Sequence, residues 1–122
     1  MNWQRAWFLV RGEPYRVFFP LAAVVGVVGV GHWFAHFVGW VAAISPLGHA
    51  LVQVEAFLMA FAFGFLGTLL PRRSGLPPAG KAEFGLIAGA IIAVTVLAMT
   101  GRFIASQVAF LAGLVVLAAF AG

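Results

Sequence analysis

From Val17 to Ala43 the chain runs without a single formal charge, and three more apolar stretches follow: His49–Leu70, Phe84–Thr100 and Phe103–Ala121. No other feature constrains the fold as tightly. A bilayer core is crossed by roughly 20 residues of helix, with a working range of about 17–25. Every stretch meets that length, the first with tilt or an interfacial end and the third narrowly. The runs are continuous rather than alternating, so they predict helices and not the strands of a barrel. The expectation is an all-α integral membrane bundle of four transmembrane helices at about 17–43, 49–70, 84–100 and 103–121, forming one transmembrane domain.

Composition removes the competing classes. Only 8% of the 122 residues are charged, where ordinary soluble chains carry about 25%, and the mean hydropathy is +1.10. A soluble enzyme, a nucleic-acid module and a disordered chain all need more charge than this. The isoelectric point near 11.3 looks basic, but the net charge is only +4 and the basic residues are scattered. They read as topology signals rather than a phosphate-binding patch, so the expected partner is the lipid bilayer and not nucleic acid. Cysteine is absent, which excludes disulfides, thiolate metal sites and cysteine nucleophiles.

Punctuation between the spans fits helices. Ser45-Pro46 is an N-cap followed by proline at the first helical position. Pro71 is expected to close the second span, leaving 71–83 as the one substantial loop, with Glu83 placed where a negative charge favours a helix N-terminus. Only Gly101-Arg102 separates the last two spans, which predicts a tight antiparallel hairpin. Arg5, Arg11, Arg16, Arg72, Arg73 and Lys81 then fall on one side, against Arg102 on the other. By the positive-inside rule both termini are expected in the cytoplasm, with the 44–48 turn outside.

The first apolar run is far longer than the 7–15 residues of a secretory signal, so it reads as an uncleaved helix. Trp3 and Trp7, beside Arg5 and Arg11, suggest a short interfacial segment, and Trp33 and Trp40 suit the outer aromatic belt. Small residues recur every four positions: Ala56, Ala60, Gly64 and Thr68; Gly85 and Gly89; Ala105, Ala109 and Gly113. Such stripes let helices approach closely in lipid, either within the bundle or at a dimer face. The chain stops at Ala121-Gly122 without a polar tail. It reads equally as a complete protein and as part of a longer polytopic one, so further helices or a second copy are expected partners.

Polar groups inside a bilayer cost about 2.5–3.5 kcal/mol for an acid or base at the centre, so the few present are candidates for function. They are His32 and His36 in the first span, His49, Gln53 and Glu55 in the second, Thr95 in the third and Gln107 in the fourth. His32 and His36 share a helix face, as do His49 and Gln53, whereas Glu55 points away from Gln53. Folding the first hairpin at Ser45-Pro46 is expected to bring Glu55 to the depth of His36 and His49 nearer the outer surface, with the three histidines and Glu55 in the outer half of the membrane. Neutral imidazole is a common metal and haem ligand. The residues therefore leave three readings open: structural hydrogen bonding, a haem or metal site using His32, His36 and His49, or a proton or ion path. No HExxH, GxSxG or Walker motif appears, and three acidic residues in the whole chain give a self-contained catalytic centre almost nothing to use.

His49-Ala50, followed by Gly64-Phe65, Thr68, Pro71 and a Ser74-Gly75 turn, resembles the NnrS family, and Tyr15-Arg16-Val17-Phe18-Phe19-Pro20 is similar to the entry of that family's first helix. The resemblance covers most of residues 13–80. It departs at Leu51 and Val52, which stand where the family's histidine-rich group continues with histidine and glutamate. It implies a polytopic bacterial membrane protein associated with haem and copper and with the response to nitric oxide. It also implies His49 as the ligand position carried over; the family chain is about three times longer, making this an N-terminal piece or a reduced relative. The alternative is a small transporter-like or structural bundle in which Glu55 handles protons or a cation.

Overall fold

The structure, a computed structural model, describes residues 2–122. Five helices follow one another: α1 (Trp3–Gly12), α2 (Tyr15–Phe37), α3 (Pro46–Ser74), α4 (Lys81–Met99) and α5 (Phe103–Ala121). No strand occurs among the described residues. Helices α2 to α5 are long and apolar enough to cross a membrane, as the four charge-free runs predict.

Helix α1 is the short segment anticipated around Trp3 and Trp7. The Asn2 side chain caps it by accepting from the Gln4 N–H at 3.1 Å. Trp3, Phe8 and Leu9 are exposed, while Trp7 packs edge-on against Phe84 of α4 with centroids 5.5 Å apart. The Arg11 guanidinium donates to the carbonyls of Ala79 and Pro78 at 3.2 and 3.3 Å. The N-terminal segment and the connection before α4 therefore lie at one end of the bundle, and Arg102 at the other.

Two boundaries need correction. The first span does not continue to Ala43, because α2 ends at Phe37. Gly39 adopts φ +82°, and the N–H of Trp40 reaches back to the Ala35 carbonyl at 2.8 Å. That is a Schellman stop, made possible by a glycine in the left-handed region. Apolarity alone does not separate a helix from an apolar turn. The second span opens at Ser45-Pro46 as expected, three residues before the apolar stretch itself begins at His49, with Ser45 Oγ accepting from the Gly48 N–H at 3.0 Å. Pro71 does not close it: α3 runs on to Ser74, and Gly75 ends it at φ +68°. A proline this near a C-terminus forfeits one intrahelical bond, and the helix carries on for one more turn. The α4–α5 hairpin turns as expected, with Gly101 at φ +78° and Arg102 N–H on the Leu97 carbonyl. Glu83 closes the start of α4 by accepting from the Gly80 N–H at 2.8 Å.

Packing follows the small residues. Ala56, Ala60 and Gly64 are buried in α3, and a Cβ at Gly64 would meet the Phe19 ring at 2.8 Å. Gly113 of α5 lies against Ala90 and Met59 at a similar distance. Phe18, Phe63 and Phe84 form an edge-to-face cluster joining α2, α3 and α4, with Phe18 4.6 Å from Phe63 and 4.8 Å from Phe84. Gly85 and Gly89 are different, since nothing lies within 4 Å of where either Cβ would stand. The literal GxxxG faces outward.

Candidate functional site

The polar side chains of α3 divide between two neighbours. His49 Nδ1 meets the Gly29 carbonyl at 2.8 Å, and Gln53 Nε2 donates to the Gly26 carbonyl at 3.0 Å. Both bonds tie α3 to α2. Gly29 leaves room for this contact, since a Cβ there would collide with Gln53 Nε2 and displace the amide. Trp33 places its ring edge-on to the imidazole of His49, with centroids 5.6 Å apart and planes at 89°.

A carbonyl oxygen only accepts, so Nδ1 of His49 carries a proton, and the neutral form of the ring has its lone pair on Nε2. His36 is held in the same tautomer by the Val41 carbonyl, 3.0 Å from its Nδ1, but it is exposed at the end of α2. The ring of His32 makes no hydrogen bond among the described residues and is half-buried. No three histidine, aspartate or glutamate side chains converge as a metal-holding group among the described residues. The three histidines are thus neighbours along one hairpin, not one cluster.

Depth also differs from the expectation. Gln53 lies opposite Gly26, ten positions before His36 along α2. At 1.5 Å per residue, Glu55 therefore sits on the order of 15 Å further into the bundle than His36. The reason is the stop at Phe37: residues 38–45 form the turn and lead back along α2, so that His49, three residues into α3, already lies opposite Gly29.

Glu55 lies in the stretch Val52–Phe57, where α3 winds as a π-helix. Such single-turn bulges recur at functional sites. Its carboxylate turns away from α2, toward α5, where both oxygens lie 3.0 Å from Gln107 Nε2. The sequence places Gln107 among the intramembrane polar groups but does not pair it with Glu55. The signal was present, because scarce polar groups in lipid pair with one another, and Gln107 is the one amide in the last span.

An open groove of about 570 Å³ runs beside the α2–α3 crossing, lined by Gly26, Val30, Gly31, Phe34, Gln53 and Phe57 among others. Outside the spans, Glu13 accepts from Arg72 at 2.7 Å and from Arg16. Those partners, the Arg16 hydrogen bond foremost, hold its carboxyl below the ordinary carboxylate value.

Fold and polar crossings together define a polytopic α-helical membrane protein with hydrogen-bonded groups buried between its spans. Comparison then gives the family. The model described as NnrS protein matches residues 10–122, and the chain belongs to that family. The match runs past residue 80 to the end of α5, so the relationship is not confined to the first hairpin. No curated protein and no solved structure matched the chain. Membership associates the protein with the response to nitric oxide, and the family is one associated with haem and copper.

Proposed function

We propose that this chain acts in the nitric-oxide response of a bacterial inner membrane and binds haem through His49. The observation that carries this reading is the bond from His49 Nδ1 to the Gly29 carbonyl. Histidines that ligate metals donate their other ring nitrogen to a carbonyl or carboxylate, which fixes the tautomer and raises the basicity of the ligating nitrogen. One histidine can suffice to hold haem iron, and His49 would be that residue here. The apolar groove beside Gln53 adjoins the same helix crossing, although His49 is not among its lining residues. Gln53 and Gly29 hold the helix crossing on which the imidazole depends. When bound, the iron supplies coordination and redox chemistry toward a small diatomic ligand.

His36 offers a second Nε2 near the outer end, and His32 lies one turn below it on the same face. A copper site drawing on three of this chain's side chains does not fit, because no such triple converges among the described residues. Copper would take part of its ligand set from other helices. Both termini belong in the cytoplasm, a reading supported by the Arg- and Lys-bearing segments that meet at one end of the bundle.

The test is spectroscopic. The chain, purified in detergent and titrated with haemin, is expected to give a Soret band that sharpens and shifts on dithionite reduction. His49→Ala should weaken that band at least about tenfold in apparent affinity, whereas His32→Ala and His36→Ala should change it far less. Equal binding by wild type and His49→Ala would overturn the assignment.

A further inference from the structure

The Glu55–Gln107 pair plays no part in the haem reading. Glu55 is 9% exposed, deep in the bundle, and no lysine, arginine or histidine bonds to it among the described residues. It gains only one neutral amide as a partner. A carboxylate at such depth is costly to keep and calls for a function.

Glu55 also lines a cleft between α3 and α5 of about 170 Å³, together with Val54, Leu58, Met59, Phe110 and Leu114 among others. The cleft is open at its side, so it communicates with the surrounding medium, which in a membrane is lipid. Three of its features belong to the recognition of one ligand class. The Glu55 carboxyl group can supply the counter-charge for a bound cation in a weakly screening environment. The Phe110 ring can offer a cation its electron-rich face. The remaining wall is aliphatic and sulfur-bearing, and it solvates hydrocarbon. Inorganic cations are a poor match, since they ask for six or more oxygen ligands and this wall supplies almost none. Gln107, bonded through its amide nitrogen to both carboxylate oxygens, holds the Glu55 side chain in place beside the cleft.

We propose that the cleft between α3 and α5 binds a small hydrophobic organic cation, an aryl- or alkylammonium, with its charge on Glu55 and its apolar body against Phe110 and Leu114. Access is lateral, from the bilayer. The site faces α5, away from the His49 crossing, so its occupancy is independent of haem.

The experiment uses the full chain in lipid nanodiscs and follows benzyltrimethylammonium by equilibrium dialysis, with its uncharged carbon isostere neopentylbenzene as the comparison. Expected is saturable binding of the cation in excess of lipid partitioning, and no saturable binding of the neutral compound. Glu55→Gln, which keeps size and hydrogen bonding, should lower cation affinity at least about tenfold with unchanged helicity by circular dichroism. Leu114→Trp, which fills the cleft without touching the carboxylate, should abolish binding. Phe110→Leu should weaken it a few-fold. The proposal is overturned if the wild type binds the cation no better than empty nanodiscs, if the neutral isostere saturates equally well, or if folded Glu55→Gln binds as tightly as wild type.

Discussion

Two glycines on the first hairpin face different obstacles, and the difference sets how each should respond to one added methyl group. At Gly48 a Cβ would stand 2.7 Å from the backbone oxygen of Ala98, which cannot move without shifting α4. At Gly29 the obstacle is the far end of the Gln53 side chain, which can swing aside at the cost of its bond to Gly26. Gly48→Ala should therefore cost about 1–3 kcal/mol, the range for forced overpacking. Gly29→Ala should cost about 0.6–1.7 kcal/mol, the worth of an interhelical hydrogen bond in a membrane protein. Melting in detergent, followed by circular dichroism, checks the order; a Gly29→Ala variant less stable than Gly48→Ala would contradict it. Gly29→Ala carries a further consequence, since it disturbs the carbonyl that orients His49, and weaker haemin binding should accompany the lower stability.

Among elements, the helices were legible in proportion to how far their signals are local. The Ser45-Pro46 start, the Glu83 start and the Gly101-Arg102 turn rest on contacts between residues close in sequence, and each lies where the sequence puts it. The stop at Phe37 was hidden because the turn after it is as apolar as the helix before it; only Gly39 marks it. Pro71 misled for the opposite reason, since a strong breaker signal fell within the last turn of a helix long enough to absorb it. The partner of Glu55 depends on rotational phase between helices, which the π-helical stretch alters and which no single-helix pattern contains. The same limit applies to GxxxG. Gly85 and Gly89 match the motif, yet the bundle packs on Ile87 and Ile91 of that helix instead. Replacing both glycines with leucine should leave the melting temperature of the isolated chain within a few degrees. Any loss of a higher oligomer in the same variant, read by light scattering, would assign that face to association between chains.

For the whole molecule, the charges cluster where the helices end, and one carboxylate joins three segments there. Glu13 stands between α1 and α2, accepts from Arg16 at the start of α2, and accepts from Arg72 in the last turn of α3. Alongside it, Arg11 fastens α1 to the carbonyls before α4. The pKa of Glu13 is lowered, first by the Arg16 hydrogen bond and then by Arg72. A carboxyl depressed in the folded state favours that state above its unfolded value, about 4.3. The contribution disappears as pH falls through the folded value. Attachment of α1 should thus be constant from about pH 7 to about pH 5 and should weaken below about pH 4. Hydrogen exchange of residues 3–16 measures this directly, with the transmembrane helices as the internal reference. Glu13→Gln should raise exchange in that segment at neutral pH and remove its acid dependence. An unchanged acid profile in Glu13→Gln would mean that some other group holds the N-terminal helix to the bundle. High salt should loosen the wild-type attachment in part, because these pairs are exposed and screened, while the Arg11 bonds to neutral carbonyls should persist.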